Sequence, residues 1–323
     1  MKTVVHTEYG SPSLLQFADV QKPTPKDDEV LVKIHAASLN AYDWHILTAD
    51  IFLVRFEMGL LKPKGTRIGA DISGVIESLG KNVKQFKPGD EVFGDLASCG
   101  GGGFAEYVSA PEDYLALKPA NLSFEEAAAV PMAAITALQG LRDEGKIQAG
   151  QKVLINGASG GVGTYAVQLA KYFGAEVTAV CSTRNVDMVH SLGADHVIDY
   201  KQENFTENDK KYDLILGVNG YHPLSAYKRI LTSTGIYIMA GGTPKQIFSA
   251  VLLGSLMSTK GKKMGMVSAK PNQADLNFMK ELLEKGDVKS VIDKTFTLDD
   301  IAQALDYVGE GHAQGKVVVT MEE

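Results

Sequence analysis

Seven residues, Gly157-Ala158-Ser159-Gly160-Gly161-Val162-Gly163, constrain the fold of this chain more than any other segment. Alone they say little, because a chain with 33 glycines forms such strings by chance. Their flanks make them specific. Lys152 to Asn156 reads as a buried strand, with Val153-Leu154-Ile155 a continuous apolar run. Val162 to Phe173 reads as a helix with Val162, Ala166, Leu169, Ala170 and Phe173 on one face. A strand that turns through glycines into a helix lets the backbone approach a pyrophosphate, whose charge meets the free N–H groups of the helix N-terminus. Ser159, Gly160, Gly161 and Val162 are expected to line that cradle. The competing reading is a plain turn that binds nothing.

The same rhythm continues downstream. Apolar strands are expected at Glu176 to Cys181, His196 to Asp199, Tyr212 to Val218 and Gly235 to Ala240, alternating with amphipathic helical segments. That alternation predicts βαβ units and a parallel sheet. The residues after the second strand choose the dinucleotide. A site for NAD places Asp or Glu about 20 residues after the glycines, to accept from the ribose 2′-OH. Here Ser182, Thr183, Arg184 and Asn185 stand at that point, with no carboxylate. An acid would repel a 2′-phosphate, whereas a guanidinium pairs with it. NADP(H) is the expected cofactor, read by Ser182, Thr183 and Arg184. The bland alternative is an Arg184 that merely begins the next helix in solvent.

The first part of the chain reads differently. From Met1 to about Pro119, short strand-like runs are separated by Gly, Pro and Asp: Val30 to Ile34, Ile72 to Ile76, Glu91 to Phe93 and Phe104 to Val108. Such spacing predicts an antiparallel β domain, a small barrel or a sandwich. Ala41 to Leu61 has few breakers and is either helical or a long ordered loop. Ser123 to Glu126 is a capping-box arrangement that opens an alanine-rich helix. Helices are expected again over Asn272 to Glu284 and Asp299 to Val308, and a β run over Lys316 to Thr320.

Composition excludes several classes. A formal charge of −7 gives no general attraction to a phosphate backbone, so nucleic acid is not an expected partner; Lys260-Gly261-Lys262-Lys263 is the compact basic candidate. Two cysteines are too few for a disulfide framework or a four-thiolate zinc lobe. The first residues lack the apolar core of a signal peptide, and the richest apolar stretch, Ala127 to Leu141, is broken by Pro131, Thr136 and Gln139. The expectation is a cytoplasmic protein without membrane contact.

Gly157 to Gly163, Leu122 to Pro131, Ser182 to Asn185 and Leu192 to Tyr200 resemble the zinc-independent quinone oxidoreductase branch of the medium-chain dehydrogenase/reductase superfamily. Gly69 to Ile76 and Lys87 to Gly94 resemble that family's catalytic-domain motifs, and the likeness runs from residue 1 to 320. It implies an α/β fold with two parts: a GroES-like β-barrel catalytic domain over 1–122, to which 266–323 returns, and a Rossmann doubly wound parallel sheet for the cofactor over 123–265. It also implies a homodimer, and NADPH-dependent hydride transfer to a small-molecule quinone or α,β-unsaturated carbonyl. Zinc-dependent relatives hold their metal with a Cys and a Gly-His-Glu motif; here those positions are Asn40 and Ala70-Asp71. No metal ligands are expected. Two other readings stay open, a zinc-type alcohol dehydrogenase and a non-enzymatic NADPH-binding regulatory protein.

The resemblance also assigns residues. Asn40, Tyr42 and Asp43 fall where the family lines the nicotinamide pocket. Tyr42 is a hydrogen-bond or proton donor to the developing oxyanion, or an aromatic wall. Asp43 orients a water or a donor, or serves as a cap. His45 is a proton source or a solvated side chain, and Trp44 is packing. Thr136 matches a residue near the nicotinamide, Tyr200 one near the adenosine phosphate, and Lys316 one near the cofactor phosphates. Val218, Asn219, Gly241 and Gly242 follow the fourth and fifth strands, where ligands gather in such sheets. Gly100 to Gly103 is a moving loop or a floppy connection, and Asp50 to Gly65 a greasy lid or a buried helix.

Overall fold

In the computed structural model, which describes residues 1–219, 222–242, 246, 258 and 261–321, the chain forms two compact units. One comprises Met1–Met132, Lys270–Gly286 and Ser290–Glu323; the other comprises Ala133–Ala269 and Asp287–Lys289. The division expected after 122 falls ten residues later for a physical reason. The helix that Ser123 caps, α3 (Phe124–Ala128), lies on the first unit's sheet, where Ser73 Oγ donates to Phe124 O and Ser290 Oγ donates to Glu126 O.

The first unit is built on β3 (Glu29–Leu39), a strand of 11 residues. Its length lets it pair antiparallel with β4 (Asp71–Leu79) on one side, and with β6 (Tyr107–Pro111) and β15 (Lys316–Thr320) at the two ends of the other. The strand order is β14-β15-β3-β4-β5-β7, where β5 is Glu91–Asp95, β7 Leu115–Leu117 and β14 Ile292–Thr297. A hairpin of β1 (Lys2–Val5) and β2 (Gln16–Asp19) stands apart from this sheet. Alternating residues Val30, Val32 and Ile34 pack with Ile72, Ile76, Val92, Val108 and Leu115. This is the GroES-like architecture expected, with the C-terminal strands returning to it.

The segment read as helical or loop from Ala41 to Leu61 contains both. Helix α1 (Ala41–Thr48) ends at Ala49, which has φ 48°, and α2 (Val54–Met58) ends at Gly59. The alanine-rich stretch is likewise two helices, α3 and α4 (Pro131–Gln139), because Pro131 has no N–H to continue the first and is well suited to open the second.

The second unit is a parallel sheet in the order β10-β9-β8-β11-β12-β13. These are His196–Asp199, Glu176–Cys181, Lys152–Asn156, Tyr212–Gly217, Leu231–Met239 and Lys263–Met266. Val153, Leu154 and Ile155 on the central strand are fully buried, as a strand covered on both faces requires. Helix α5 (Gly161–Tyr172) follows β8 directly. The strand order reverses direction between β8 and β11, and ligands of such sheets bind at the carboxyl ends beside that reversal.

Candidate active site

At the carboxyl end of β8 the chain makes its glycine turn. Gly157 has φ +86°, a conformation open to glycine, and its N–H, with that of Ala158, donates to Val180 O on β9. A Cβ at Gly163 would lie 2.1 Å from Gly157 O, so only glycine lets the helix start this close to the strand. At Gly160, which caps α5, a Cβ would meet nothing nearer than 3.9 Å, which leaves a concave space before the helix N-terminus. Open N–H groups facing such a space fit a pyrophosphate.

Next to it, Asn185 binds two segments together. Its Nδ2 donates to Ser159 Oγ at 2.8 Å and to Ser182 Oγ at 3.2 Å, while its buried Oδ1 has no protein partner. Thr183 Oγ1 donates to Asp199 Oδ2 at 2.6 Å, and this bond holds the Asp199 carboxyl below its ordinary value. Tyr200 N donates to Cys181 O, and its ring is half exposed. Ser182, Thr183, Arg184 and Tyr200 therefore gather around the carboxyl ends of β9 and β10, and Asn185 links them to the glycine turn. Val218 N and Asn219 N both donate to Asn156 O, and Gly241 lies so close to Val218 O that a Cβ would stand 2.5 Å from it. Gly242 follows at φ +149°, and Thr136 is buried on α4. Gly220 and Lys260 lie outside the described residues.

The first unit holds a second constellation, entirely buried. Asn40 precedes α1, and its backbone N–H is capped by Asp43 Oδ2 at 2.8 Å. The Asn40 side chain turns the other way. Its Nδ2 donates to Asp71 Oδ2 at 2.9 Å, and its Oδ1 accepts from Lys316 Nζ. Lys316 Nζ also donates to Leu39 O at 3.1 Å and to Asp71 Oδ2 at 3.4 Å. Three acceptors call for three N–H groups, so the lysine stands as an ammonium. Asp71 takes two further bonds, from Ser38 Oγ at 3.1 Å and Met132 N at 3.0 Å.

Two more carboxyls face this pair. Asp95 is paired with Asp71 across β4 and β5 and accepts from Ala97 N at 2.8 Å; Asp43 Oδ1 is buried with no hydrogen-bond partner. Burial pushes Asp43 up to about 7, helped by the charge of Asp71 and opposed by the Asn40 N–H. Burial, and then the charge of Asp71, pushes Asp95 up to about 8. Burial moves Asp71 up and Lys316 down, and their mutual attraction opposes both shifts. One ammonium does not balance three carboxylates at this buried spot, so near neutral pH Asp95 keeps its proton and Asp43 is divided between its two forms.

Lys316 is thus placed otherwise than expected. Its donors are spent on Leu39, Asn40 and Asp71, and only 3% of the residue is accessible, so it does not stand at cofactor phosphates here. Asp43 acts as a cap. Tyr42 is half-buried, its Oη 3.5 Å from Ala97 O. His45 Nδ1 is 2.7 Å from Asp50 Oδ1, and Trp44 packs against Gly309, as expected of a packing residue. Cys99 is a thiol that burial pushes up to about 11, which suits no nucleophile. Gly101 N and Gly103 N are bonded to Leu96 O and Gly69 O, so the glycine run is tied down.

Sequence reasoning missed Asp71, Asp95, Ser38 and Asn185 as site residues. Asp71 carried a signal, since it stands at the Glu position of the zinc relatives' motif. Zinc does not fit here. Among the described residues no three His, Cys, Asp or Glu side chains are arranged to hold a metal, and the Lys316 ammonium already occupies the acceptors of Asn40 and Asp71.

Comparison with known proteins places this geometry. The Alcohol dehydrogenase GroES-like domain family matches residues 26–120 and the Zinc-binding dehydrogenase family matches residues 192–319. The chain is 35% identical to the Chloroplast envelope quinone oxidoreductase homolog of Arabidopsis thaliana, over 99% of this chain and 98% of that one. It is 34% identical to the chloroplastic NADPH-dependent alkenal/one oxidoreductase of the same plant, over 99% of this chain and 79% of that one. The quinone oxidoreductase structure from Coxiella burnetii superimposes with a TM-score of 0.89 at 28% identity, covering 100% and 99% of the two chains. The expectation of a cytoplasmic protein is overturned by these relatives, both plant proteins being chloroplast proteins by name. A GroES-like sheet, a parallel cofactor sheet and full-length likeness to such enzymes lead to one conclusion: the chain belongs to the medium-chain dehydrogenase/reductase superfamily of oxidoreductases, in its zinc-independent quinone oxidoreductase branch.

Proposed function

We propose that the protein is an NADPH-dependent reductase of quinones or α,β-unsaturated carbonyls, working as a homodimer without a metal. One observation carries the reading: the two positions that correspond to the zinc relatives' Cys and Glu are Asn40 and Asp71, and both side chains are bonded to the buried Lys316 ammonium. A site without a Lewis acid stabilises an isolated alkoxide poorly. A conjugated acceptor spreads the same charge through an enolate or a hydroquinone anion, so hydrogen-bond donors suffice. The related alkenal/one oxidoreductase points to the same acceptor class.

The cofactor, when bound, supplies the hydride. The chain's own residues do the rest. Ser159 to Val162 hold the pyrophosphate against the α5 N-terminus, and Val218, Asn219, Gly241, Gly242 and Thr136 line the nicotinamide side. Ser182, Thr183, Arg184 and Tyr200 read the 2′-phosphate, with Asn185 fixing Ser182 and Ser159 in register. Asn40, whose first Nδ2 hydrogen is held by Asp71, presents its second to the acceptor oxygen, and Tyr42 supplies a hydroxyl beside it. Lys316 positions the Asn40 amide and touches neither cofactor nor acceptor.

The test is NADPH oxidation, followed by absorbance, with 9,10-phenanthrenequinone, an alkyl vinyl ketone and a saturated ketone. Turnover of the first two and not the third is expected. In Asn40→Ala and Tyr42→Phe, kcat should fall by about 10–100-fold while NADPH affinity holds. Turnover of the saturated ketone alone, or no change in either variant, would remove the assignment. Light scattering of the purified protein reads the dimer.

A further inference from the structure

Of the twelve large apolar side chains that stand exposed among the described residues, five lie within ten positions of one another: Phe52, Leu53, Phe56, Leu60 and Leu61. Phe52 is 61% accessible, Phe56 64% and Leu61 89%. Scattered exposure of this kind is ordinary on a soluble protein, whereas concentration into one segment marks a contact surface. Hydrogen bonds to its backbone and one cation–ring contact tie the segment in this pose. Tyr9 Oη donates to Gly59 O at 2.7 Å, the Arg55 guanidinium lies 4.7 Å from the Tyr9 ring centre, and Lys64 N donates to Met58 O. Gly59 has φ +126°, and a Cβ there would strike Lys62 O at 2.2 Å, so the turn that presents Leu60 and Leu61 requires glycine. The rings of Phe52 and Phe56 meet edge to face at 5.5 Å.

Charge chooses the occupant. In a chain of net charge −7, the stretch from Arg55 to Arg67 has four basic residues, Arg55, Lys62, Lys64 and Arg67, against the single acid Glu57. Lys62 and Lys64, which follow Leu61 in the chain, are exposed, and so is Arg67, whose side chain lies by Gly100 and Gly102. A second copy meeting this face about a two-fold axis would set the same cations against each other, which disfavours self-association. An anionic bilayer satisfies both halves of the pattern: apolar side chains enter the acyl boundary, and basic side chains meet lipid phosphates. No helix of the described residues is long and apolar enough to cross a membrane, so the contact is peripheral.

We propose that residues 52–67 form a docking surface for anionic lipid membranes. Binding is read without turnover, so the proposal stands or falls apart from the reductase reading. The test is co-sedimentation of the full chain with vesicles of phosphatidylcholine containing phosphatidylglycerol, and with phosphatidylcholine alone, at low and high salt. The protein should pellet with the anionic vesicles at low salt, and the partition should drop at high salt and on the neutral vesicles. Two variants, Phe52→Ser/Phe56→Ser/Leu61→Ser and Lys62→Glu/Lys64→Glu, should each weaken it by about tenfold or more. Circular dichroism melting checks that both fold; if the apolar variant does not, the charge variant alone decides. A wild-type protein that stays in the supernatant overturns the proposal, as does binding that both variants retain. A dimer in sedimentation velocity that both variants dissolve would assign the surface to a second copy instead.

Discussion

At the scale of single residues, Arg184 carries the sharpest expectation. A charge-assisted bond to a phosphate contributes about 1.5–3 kcal/mol, or roughly ten- to a hundredfold in affinity. Arg184→Ala should weaken NADPH by that factor and leave NADH nearly untouched, as read by calorimetric titration of both nucleotides. Equal losses would mean that Arg184 supports the fold and reads no phosphate. Asp95 gives a prediction in pH. Its carboxyl is raised in the folded protein, so the stability it contributes is full below about pH 4, its ordinary range, and is lost as pH rises through about 8. Asp43 on α1, Asp71 on β4, Lys316 on β15 and the nearby Cys99 thiol are common to wild type and Asp95→Asn, and largely cancel in the difference. The variant keeps the acceptor for Ala97 N, so its melting advantage over wild type should widen between pH 5 and pH 9, by about 1 kcal/mol or more. A constant gap would show that Asp95 does not stay protonated in the fold. These residues were unequally legible beforehand. Ser182 to Arg184 follow a recognisable strand directly, so local pattern located them. Asp95 sits in a short β run with nothing local to mark it, and its importance arises from the strand that pairs it with Asp71.

Elements were legible where a period was long enough to show. The strands of the parallel sheet at 152–156, 176–181 and 196–199 have the limits that apolar runs alone indicate, and α5 differs by one residue at each end. The strand expected at Phe104 to Val108 instead runs from Tyr107 to Pro111, because the glycines before it continue as turns that bond to Gly69 and Leu96. Short strands in an antiparallel unit owe their limits to their neighbours, and no window of sequence contains those neighbours. The glycine turn before α5 allows a direct test. In Gly163→Ala the new methyl group would meet Gly157 O at 2.1 Å and Ala158 C at 2.7 Å, both backbone atoms that cannot swing aside. Helix and strand must then separate, at a cost of about 1–3 kcal/mol, and the phosphate cradle opens. Thermal melting should show that loss together with weaker binding of NADPH and NADH alike, in contrast to Arg184→Ala. An unchanged melting point would mean that the turn is more pliable than its geometry indicates.

On the scale of the whole molecule, the decisive feature is that the first unit closes with residues from the far end of the chain. Lys316 meets Asn40 across 276 positions, and β15 pairs with β3 along Leu39, Ser38, Ala37 and Ala36. No reading of local pattern reveals such a contact, and the bonds of Lys316 to Leu39, Asn40 and Asp71 came to light only with the fold. Removing Lys316 to Glu323 should take away the ladder on β3 and leave Asp71 buried without its cation, a loss of about 3–5 kcal/mol from the ion pair alone. The truncated protein is expected in inclusion bodies or as an aggregating species by size-exclusion chromatography; a soluble monomer with native circular dichroism would contradict this. During synthesis the consequence is one of timing. The residues around Asn40 leave the ribosome early, yet β3 keeps an unpaired margin, and Asp71 lacks its counter-charge, until the last strand emerges. The parallel unit, drawn from 133–269 and then only from 287–289, is complete before that strand emerges. A nascent chain of this kind spends most of its translation with one half finished and the other dependent on chaperones that cover an open strand. A premature stop just before Lys316 would leave that margin of β3 open for good, which is why the shortened chain is expected to aggregate.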